Sequence, residues 1–214
     1  ESPLVSVVMA VYNGERFLQE AVTSVLSQTF RDFEFLILED GSTDRTAEVL
    51  KGYSDQRIKI IANMRNEGLT RCLVRGCGEA RGKYIARMDA DDVSYPLRLE
   101  KQVDFLERHP EYSLVGSQCS YLDCRGTERA LSGYSCSDSE IREIMGEMSP
   151  FAHGSVMFSK GAILGAGGYR EVFRYAQDYD LWLRLLEKHK AANLPDPLYG
   201  LRYHSNSITL KKVH

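Results

Sequence analysis

An alternation of apolar runs and amphipathic segments over the first half of the chain constrains its fold most. Leu4 to Tyr12 is almost unbroken in apolar residues, with Pro3 before it and Asn13-Gly14 after it. This pattern is typical of a parallel strand that is buried on both faces. From Glu15 to Gln28 apolar residues recur at helical spacing, which predicts an amphipathic helix that covers the sheet.

The same alternation continues as far as residue 110. Strands are predicted for Phe33 to Glu39, for Arg57 to Ala62 and for the run that begins at Lys83; helices are predicted for Arg45 to Tyr53, from Asn66 to Ala80 and for Pro96 to Arg108. This order of elements predicts an α/β fold with a parallel sheet, right-handed crossovers and helices on both faces.

After residue 110 the strict alternation lapses. A strand is predicted for Tyr112 to Leu122, a short helix after the capping box Ser137 to Glu140, and a short strand within Phe151 to Phe158. The second half is therefore expected to be a mixed region attached to the first. Since 214 residues with 43% hydrophobic content can bury one good core, we predict a single domain with halves of about 4–110 and about 111–207.

Composition argues against several classes of function. The net charge of -3 and the absence of any block of consecutive Lys or Arg predict no binding to nucleic acid. The five cysteines are odd in number and lack a Cys-x-x-Cys pair, which favours free thiols in a reducing, cytoplasmic compartment. No run approaches eighteen apolar residues, and Glu1-Ser2-Pro3 is not a signal peptide. We expect a trimmed chain, in which any association with the inner face of the membrane uses segments outside this sequence.

Three carboxylates, Asp89, Asp91 and Asp92, stand within four positions at the end of one predicted strand. In an open α/β sheet, ligands bind beyond the carboxyl ends of the strands. Carboxylate oxygens suit Mg²⁺ or Mn²⁺, which take one or two of them from the protein and the rest from water and substrate phosphates. The alternative is a solvated turn in which Asp92 or Ser94 caps the helix that begins at Pro96.

Two further acids lie on the helix predicted after Tyr175. On a helix, Asp178 shares a face with the apolar residues Leu181 and Trp182, whereas Asp180 faces away and has Arg184 at i+4. Asp180 is therefore expected to form an ion pair on the helix surface. For Asp178 two interpretations remain open: a functional carboxylate, or an N-terminal acid that the helix dipole favours.

Together, six ordered segments resemble the family 2 inverting glycosyltransferases, whose nucleotide-sugar-binding fold is called GT-A. They are Val5 to Asn13, Glu39 to Asp44, Asn66 to Leu69, Met88 to Asp92, Gln177 to Trp182 and Tyr203 to Ser207. The resemblance covers nearly the whole chain, from about Val5 to Ser207. It implies a GT-A-like α/β domain whose first half binds the nucleotide sugar and whose second half binds the acceptor.

The resemblance also implies roles for single residues. The loop matching Val11, Tyr12 and Asn13 and the acid matching Asp40 would hold the base and ribose, usually of uridine. Asp89 matches the acid near the ribose or sugar, and the neighbouring Ala90 belongs to the same site. Asp91 matches the metal-binding acid, His204 a histidine near the metal or diphosphate, and Asp178 the catalytic base; Asp92 would be an auxiliary acid.

Three positions leave alternatives open. Many relatives have Glu where this chain has Gln177, so a second carboxylate beside Asp178 is absent. Arg71 and Arg75 share one helical face and either contact the diphosphate or are solvated. His153 either lines the acceptor site or is a packed, hydrogen-bonded histidine.

The function that the resemblance implies is a metal-dependent hexosyl- or N-acetylhexosaminyl-transferase. It would move a sugar from a nucleoside-diphosphate sugar, expected to be a UDP-sugar, to a hydroxyl of a glycan or lipid-linked glycan, as in polysaccharide or glycoconjugate synthesis. Mn²⁺ or Mg²⁺ would neutralise the leaving diphosphate. One alternative is a sugar-1-phosphate nucleotidyltransferase, although Tyr12 to Arg16 is a poor version of its Gly-rich basic loop. The other is a non-catalytic nucleotide-sugar-binding subunit, which the presence of Asp89, Asp91 and Asp178 argues against.

Overall fold

Residues 2–205 are described by the computed structural model, and strand β1 (Val5–Val11) lies at the centre of their first half. On one side β1 pairs in parallel with β2 (Phe33–Glu39), which in turn pairs with β3 (Ile58–Ala62). On the other side β1 pairs in parallel with β4 (Tyr84–Asp89). The predicted central strand and its parallel neighbours are therefore confirmed.

Seven helices flank the sheet within the described residues: α1 (Leu18–Leu26), α2 (Thr46–Lys51), α3 (Leu69–Glu79), α4 (Arg98–Arg108), α5 (Asp138–Ile144), α6 (Lys160–Gly165) and α7 (Gln177–Leu186). Apolar residues of α1 and α4 pack with Val7 of β1 on one face of the sheet. Those of α3 and α7 pack with Val8 on the other face. Helices on both faces are thus confirmed, and no helix in this part of the chain is long and apolar enough to cross a membrane.

The second half extends the same sheet with strands of both directions. These are β5 (Val93–Ser94), β6 (Tyr112–Leu122), β7 (Glu128–Leu131), β8 (Met157–Ser159) and β9 (Lys190–Arg202). β8 lies antiparallel between β4 and β6, and β9 runs parallel to β6 and antiparallel to β5. The expected mixed second half is confirmed, whereas the division at about residue 110 stays a prediction.

Strand β9 was missed by the sequence analysis. It contains Pro195 and Pro197, which cannot donate a backbone hydrogen bond, so its sequence does not read as a strand. The sheet accommodates them at a register shift, where Ser117 pairs with Leu194 but the next residue of β6 already pairs with Pro197. The five cysteines are free thiols, as predicted, and three of them are buried.

Candidate active site

The acid loop, which we define as Asp89 to Asp92, lies at the carboxyl end of β4 between β4 and β5. The side chain of Asp91 is 36% exposed, and its Oδ2 lies 2.9 Å from Nε2 of His204. Burial raises the pKa of Asp91, and the negative charge of Asp89 raises it further. A cation beside these two carboxylates would relieve their repulsion.

A buried arginine, Arg87, forms an ion pair with Asp89. The side chain of Arg87 is 1% exposed, and its Nη2 donates to Oδ1 of Asp89 at 2.6 Å. Tyr199 Oη accepts from the backbone N–H of Asp89 at 3.1 Å. Deeper in the core, Arg98 donates to the carbonyl of Arg87 at 2.7 Å, and burial lowers the pKa of Arg98 to about 10. Sequence analysis missed Arg87, although a charged residue inside an apolar strand was a usable signal.

Asp92 has a different environment from the other two acids. It is buried, and its Oδ1 accepts the backbone N–H of Arg202 at 2.8 Å. Burial raises the pKa of Asp92 well above its usual range, and the charges of Asp91 and Asp89 add to this effect. Neither Asp92 nor Ser94 caps a helix, since α4 begins at Arg98 without a side-chain cap. The capping role considered for Asp92 is therefore wrong, since Asp92 anchors β9, and its auxiliary role stays a prediction.

The loop after β1 presents Tyr12 to solvent. Val11 is buried at the end of the strand, and Tyr12 is 47% exposed. Asn13 has a left-handed φ of 52°, which Asn tolerates better than most residues. Its Oδ1 accepts the N–H of Thr43 at 2.8 Å, and its own N–H donates to Ser42 at 3.0 Å. These hydrogen bonds connect the loops after β1 and β2. Base binding by Tyr12 stays a prediction.

Asp40 is buried and holds the loop that precedes α3. Its carboxylate accepts from Nδ2 of Asn63 at 2.8 Å and from the backbone N–H groups of Glu67 and Gly68, both at 2.9 Å. Gly68 has a φ of 96°, a conformation that suits glycine. Asp40 is only 3% exposed, and the thiol of Cys72 also forms a hydrogen bond with its carboxylate. Contact between Asp40 and a base therefore stays a prediction.

The two arginines of α3 contact different loops, Arg71 the one that leads to α7 and Arg75 the one that follows β3. Nε of Arg71 lies 3.2 Å from Glu171, and both side chains are exposed, so this ion pair adds little stability. Arg75 donates to Oδ1 of Asn63 at 2.6 Å. Arg71 can leave its partner at small cost, and its contact with a diphosphate stays a prediction.

Asp178 lies in the first turn of α7 and is half-buried. Leu181 and Trp182 on the predicted apolar face are fully buried, which confirms the orientation of the helix. Burial raises the pKa of Tyr169, and the charges of Asp178 and Asp89 contribute to the same shift. Asp178 thus contributes to the electrostatic environment of Tyr169, and its place beside the acid loop stays a prediction.

Asp180 forms the predicted pair with Arg184 at 2.6 Å, but the pair is not on the surface. The two side chains are only 13% and 12% exposed. Arg184 also donates to the carbonyl of Gly168 at 2.7 Å, and Arg170 lies 3.5 Å from Asp180. The predicted exposure was wrong because the turn before α7 folds back over the helix and covers the pair.

His153 fits the second of its two interpretations. Its Nε2 lies 2.8 Å from Tyr169 Oη, and its ring contacts Trp182. Burial lowers the pKa of His153 to about 3, and the positive charge of Arg87 adds to this effect. It is a neutral, packed imidazole behind the site.

The site supplies few protein ligands for a metal. Among residues 2–205, no group of three or more His, Cys, Asp or Glu side chains is placed to hold an ion. Asp91 and His204 form a set of two. This set fits Mn²⁺ or Mg²⁺ bound to a nucleotide, because such ions take most of their ligands from phosphates and water. Asn206 and Ser207 of the last predicted motif lie outside the described residues.

One cavity lies far from these residues. A groove of about 660 Å³ is lined by Leu4, Lys83 and Lys160 among others, at the amino ends of β1 and β4. Since ligands of such sheets bind at the carboxyl ends, this groove is not the active site.

Comparisons with known sequences identify the family of this chain. The sequence model of Glycosyl transferase family 2 matches residues 6–167. The chain is 40% identical over 212 residues to EpsE of Bacillus subtilis (strain 168), which is provisionally named a glycosyltransferase, and covers 75% of it. It is 33% identical to the amylovoran biosynthesis glycosyltransferase AmsE of Erwinia amylovora, over 97% of this chain and 79% of AmsE. It is also 33% identical to the O-antigen biosynthesis glycosyltransferase WbnJ of Escherichia coli, over 95% of this chain and 81% of WbnJ.

Solved structures show the same fold. S. aureus TarS 1-349 in complex with UDP-GlcNAc matches 98% of this chain with a TM-score of 0.81 and 18% identity. The mannosyltransferase PcManGT of Pyrobaculum calidifontis, in complex with GDP-Man and Mn²⁺, matches 99% with a TM-score of 0.74 and 15% identity. The chain spans 61% of the TarS 1-349 chain and 60% of the PcManGT chain. The predicted GT-A-like α/β fold is confirmed, and the chain belongs to glycosyl transferase family 2.

Proposed function

We propose that this protein transfers a sugar from a UDP-sugar to a hydroxyl of a glycan or lipid-linked glycan, with inversion at the anomeric carbon. The observation that supports this most is that His204 lies 2.9 Å from Asp91 in the acid loop, at the carboxyl end of β4. The names of AmsE and WbnJ place those relatives in amylovoran and O-antigen biosynthesis, which supports a glycan acceptor. The complex of TarS with UDP-GlcNAc supports a UDP-sugar donor.

Asp91 and His204 would hold the divalent cation. When bound there, Mn²⁺ or Mg²⁺ supplies positive charge at the phosphoryl oxygens of the leaving diphosphate. The raised pKa of Asp91 supports this assignment, since a carboxylate beside a second acid gains most from a nearby cation. A mixed carboxylate and imidazole pair suits Mn²⁺ better than Mg²⁺.

The other residues position donor and acceptor. Tyr12 would stack on the uracil ring, and Asp89, which pairs with Arg87, would contact the ribose or sugar. Asp178 would take the proton of the acceptor hydroxyl as that oxygen attacks the anomeric carbon. The new C–O bond forms on the face opposite the breaking bond to the diphosphate, so the configuration inverts and UDP leaves. The free thiols support a reducing compartment, and we place this reaction in the cytoplasm.

The decisive experiment measures UDP affinity by titration calorimetry with and without Mn²⁺. Asp91→Ala should lose about tenfold or more of the affinity that Mn²⁺ adds, because it removes a ligand. Asp196→Ala is the matched control, since Asp196 is an equally exposed acid paired with Lys101. If Asp91→Ala kept wild-type affinity and metal dependence, the metal assignment would be wrong. Hydrolysis of UDP-sugars by the wild type with Mn²⁺ then separates an enzyme from a non-catalytic binding subunit.

A further inference from the structure

Arg202, the last residue of β9, is buried against the acid loop. Its side chain is only 2% exposed. Nε donates to the backbone carbonyl of Asp91 at 2.8 Å, and the backbone N–H of Arg202 donates to Asp92 at 2.8 Å. Nη1 donates to the carbonyl of Asp123, in the turn after β6, at 3.3 Å. Arg202 thus binds both the backbone carbonyl of Asp91 and the carboxylate of Asp92.

The same guanidinium reaches α1. Nη2 of Arg202 donates to Glu20 at 2.6 Å, and the guanidinium lies 4.8 Å from the centre of the Phe17 ring. The ring of His204 is also 4.8 Å from Phe17. Phe17 directly follows the loop that presents Tyr12, so Arg202 connects the loop after β1 with the acid loop.

The planar fork of arginine explains this arrangement. Its donors point in fixed directions towards a carbonyl of the acid loop, a carbonyl of a second turn and a carboxylate of a helix. A lysine would bring the same charge, but its three donors share one nitrogen and cannot reach acceptors in three separate elements. Without the fork, the carbonyl of Asp91 would lose this donor, and the carbonyl of Asp123 would keep only the N–H of Gly126 at 3.0 Å.

We propose that Arg202 is a positioning residue that fixes the acid loop relative to α1, and through that loop places Asp91 beside His204. The expected effect of Arg202 on metal and nucleotide affinity rests on the proposed function. Its effect on the position of the acid loop does not. Arg202 touches none of the reacting atoms in this scheme. It acts through the backbone of Asp91.

The test compares Arg202→Lys with Arg142→Lys. Arg142 makes an equally forked set of contacts, to Asp138 and to the carbonyls of Leu186 and His189, near the amino end of β9. Hydrogen exchange of amides 88–94 is measured in both variants, together with UDP affinity with and without Mn²⁺. In Arg202→Lys we expect faster exchange in this segment and a loss of roughly tenfold or more in the affinity gained from Mn²⁺. In Arg142→Lys both should equal the wild type.

Wild-type exchange of amides 88–94 in Arg202→Lys would overturn the inference, whatever the nucleotide affinity. A wild type that gains no UDP affinity from Mn²⁺ would instead overturn the proposed function, and the exchange would still decide the role of Arg202. If Arg202→Lys does not fold, hydrogen exchange of amides 88–94 is measured in Glu20→Gln instead. This substitution changes an exposed residue and removes only the ion pair between Arg202 and α1. Faster exchange in that variant supports the inference, and unchanged exchange overturns it.

Discussion

Asp178 and Asp180 stand two positions apart on α7 but differ in the face of the helix that they occupy. Asp180 contacts two arginines, Arg184 and Arg170, so its negative charge is balanced within the protein. Asp178 lies on the same helical face as the buried residues Leu181 and Trp182. At the scale of single residues, the ion pairs of Asp180 make it a structural carboxylate, and Asp178 stays the candidate base.

The pair gives a prediction with an internal control. Asp178→Asn should lower single-turnover transfer by about 10²-fold or more while UDP-sugar binding stays at the wild-type level, because the amide cannot take up a proton. Asp180→Asn should keep transfer within a few-fold but lower the free energy of unfolding by about 2 to 3 kcal/mol, since it leaves Arg184 unpaired and largely buried. Loss of transfer in Asp180→Asn alone would mean that the wrong carboxylate has been chosen.

His153 predicts a pH dependence of stability. Its folded pKa of about 3 lies below the unfolded value of about 6.5, so the unfolded chain binds more protons between these values. The stabilising contribution is complete above the unfolded pKa and is lost as the pH falls. Between about pH 7 and about pH 5, the free energy of unfolding should fall by about 2 kcal/mol more in the wild type than in His153→Gln.

Urea unfolding at both pH values measures this difference. His109→Gln is the control, because His109 is exposed and should leave the wild-type pH dependence intact. Parallel pH profiles for His153→Gln and the wild type would show that His153 becomes protonated in the folded protein.

At the scale of one element, α3 contains two glycines with opposite roles. A Cβ on Gly76 would lie 2.6 Å from Val8 and 3.0 Å from Leu38, whereas a Cβ on Gly78 would meet nothing within 4 Å. Gly76→Ala should therefore lower the free energy of unfolding by about 1 to 3 kcal/mol through overpacking. Gly78→Ala should raise it by about 0.5 to 1 kcal/mol, as alanine favours a helix. Chemical denaturation of both variants checks the prediction, and an equal sign for both would contradict this packing of α3 on β1 and β2.

Elements that are buried on both faces could be predicted from the sequence, and β9 could not. β1 and β2 are continuous apolar runs, and such runs are stable only inside a parallel sheet. β9 takes its stability from pairing with β6 and β5, so its prolines and polar residues break every local pattern. The insertion of β8 between β4 and β6 also depends on tertiary packing alone.

The same limit applies to the site. The sequence places Asp89, Asp91 and Asp178 because they stand at element ends with a recognisable spacing. It does not show that Asp92 turns inward or that Asp180 is covered, since these facts depend on partners from distant segments. The roles of buried arginines such as Arg202 could not be predicted for the same reason.

At the scale of the whole molecule, the residues proposed to bind the nucleotide follow β1, β2 and β4 at the carboxyl edge of the sheet, so a bound nucleotide would connect loops that are distant in sequence. Ligands that bind only the folded state raise its stability by RT ln(1 + [L]/Kd). UDP with Mn²⁺ at about 100 times Kd should raise the melting temperature by roughly 5 to 10 °C. GDP and ADP at the same concentration should give smaller shifts, because a purine is larger and presents a different hydrogen-bonding edge. Equal shifts for the three nucleotides would contradict the uridine preference without affecting family membership.

The pairing of β5 with β9 and the contacts of Arg202 also determine when the protein becomes competent during its synthesis. The ribosome adds Asp91 111 residues before Arg202, the residue that holds its carbonyl. By then the four parallel strands β1 to β4, with their loops, have already been made. A nascent chain therefore contains the carboxyl ends of these four strands long before Arg202 can hold the acid loop in place. Chains that stop before the end of β9 lack this last support, so completion of the sheet coincides with completion of the site.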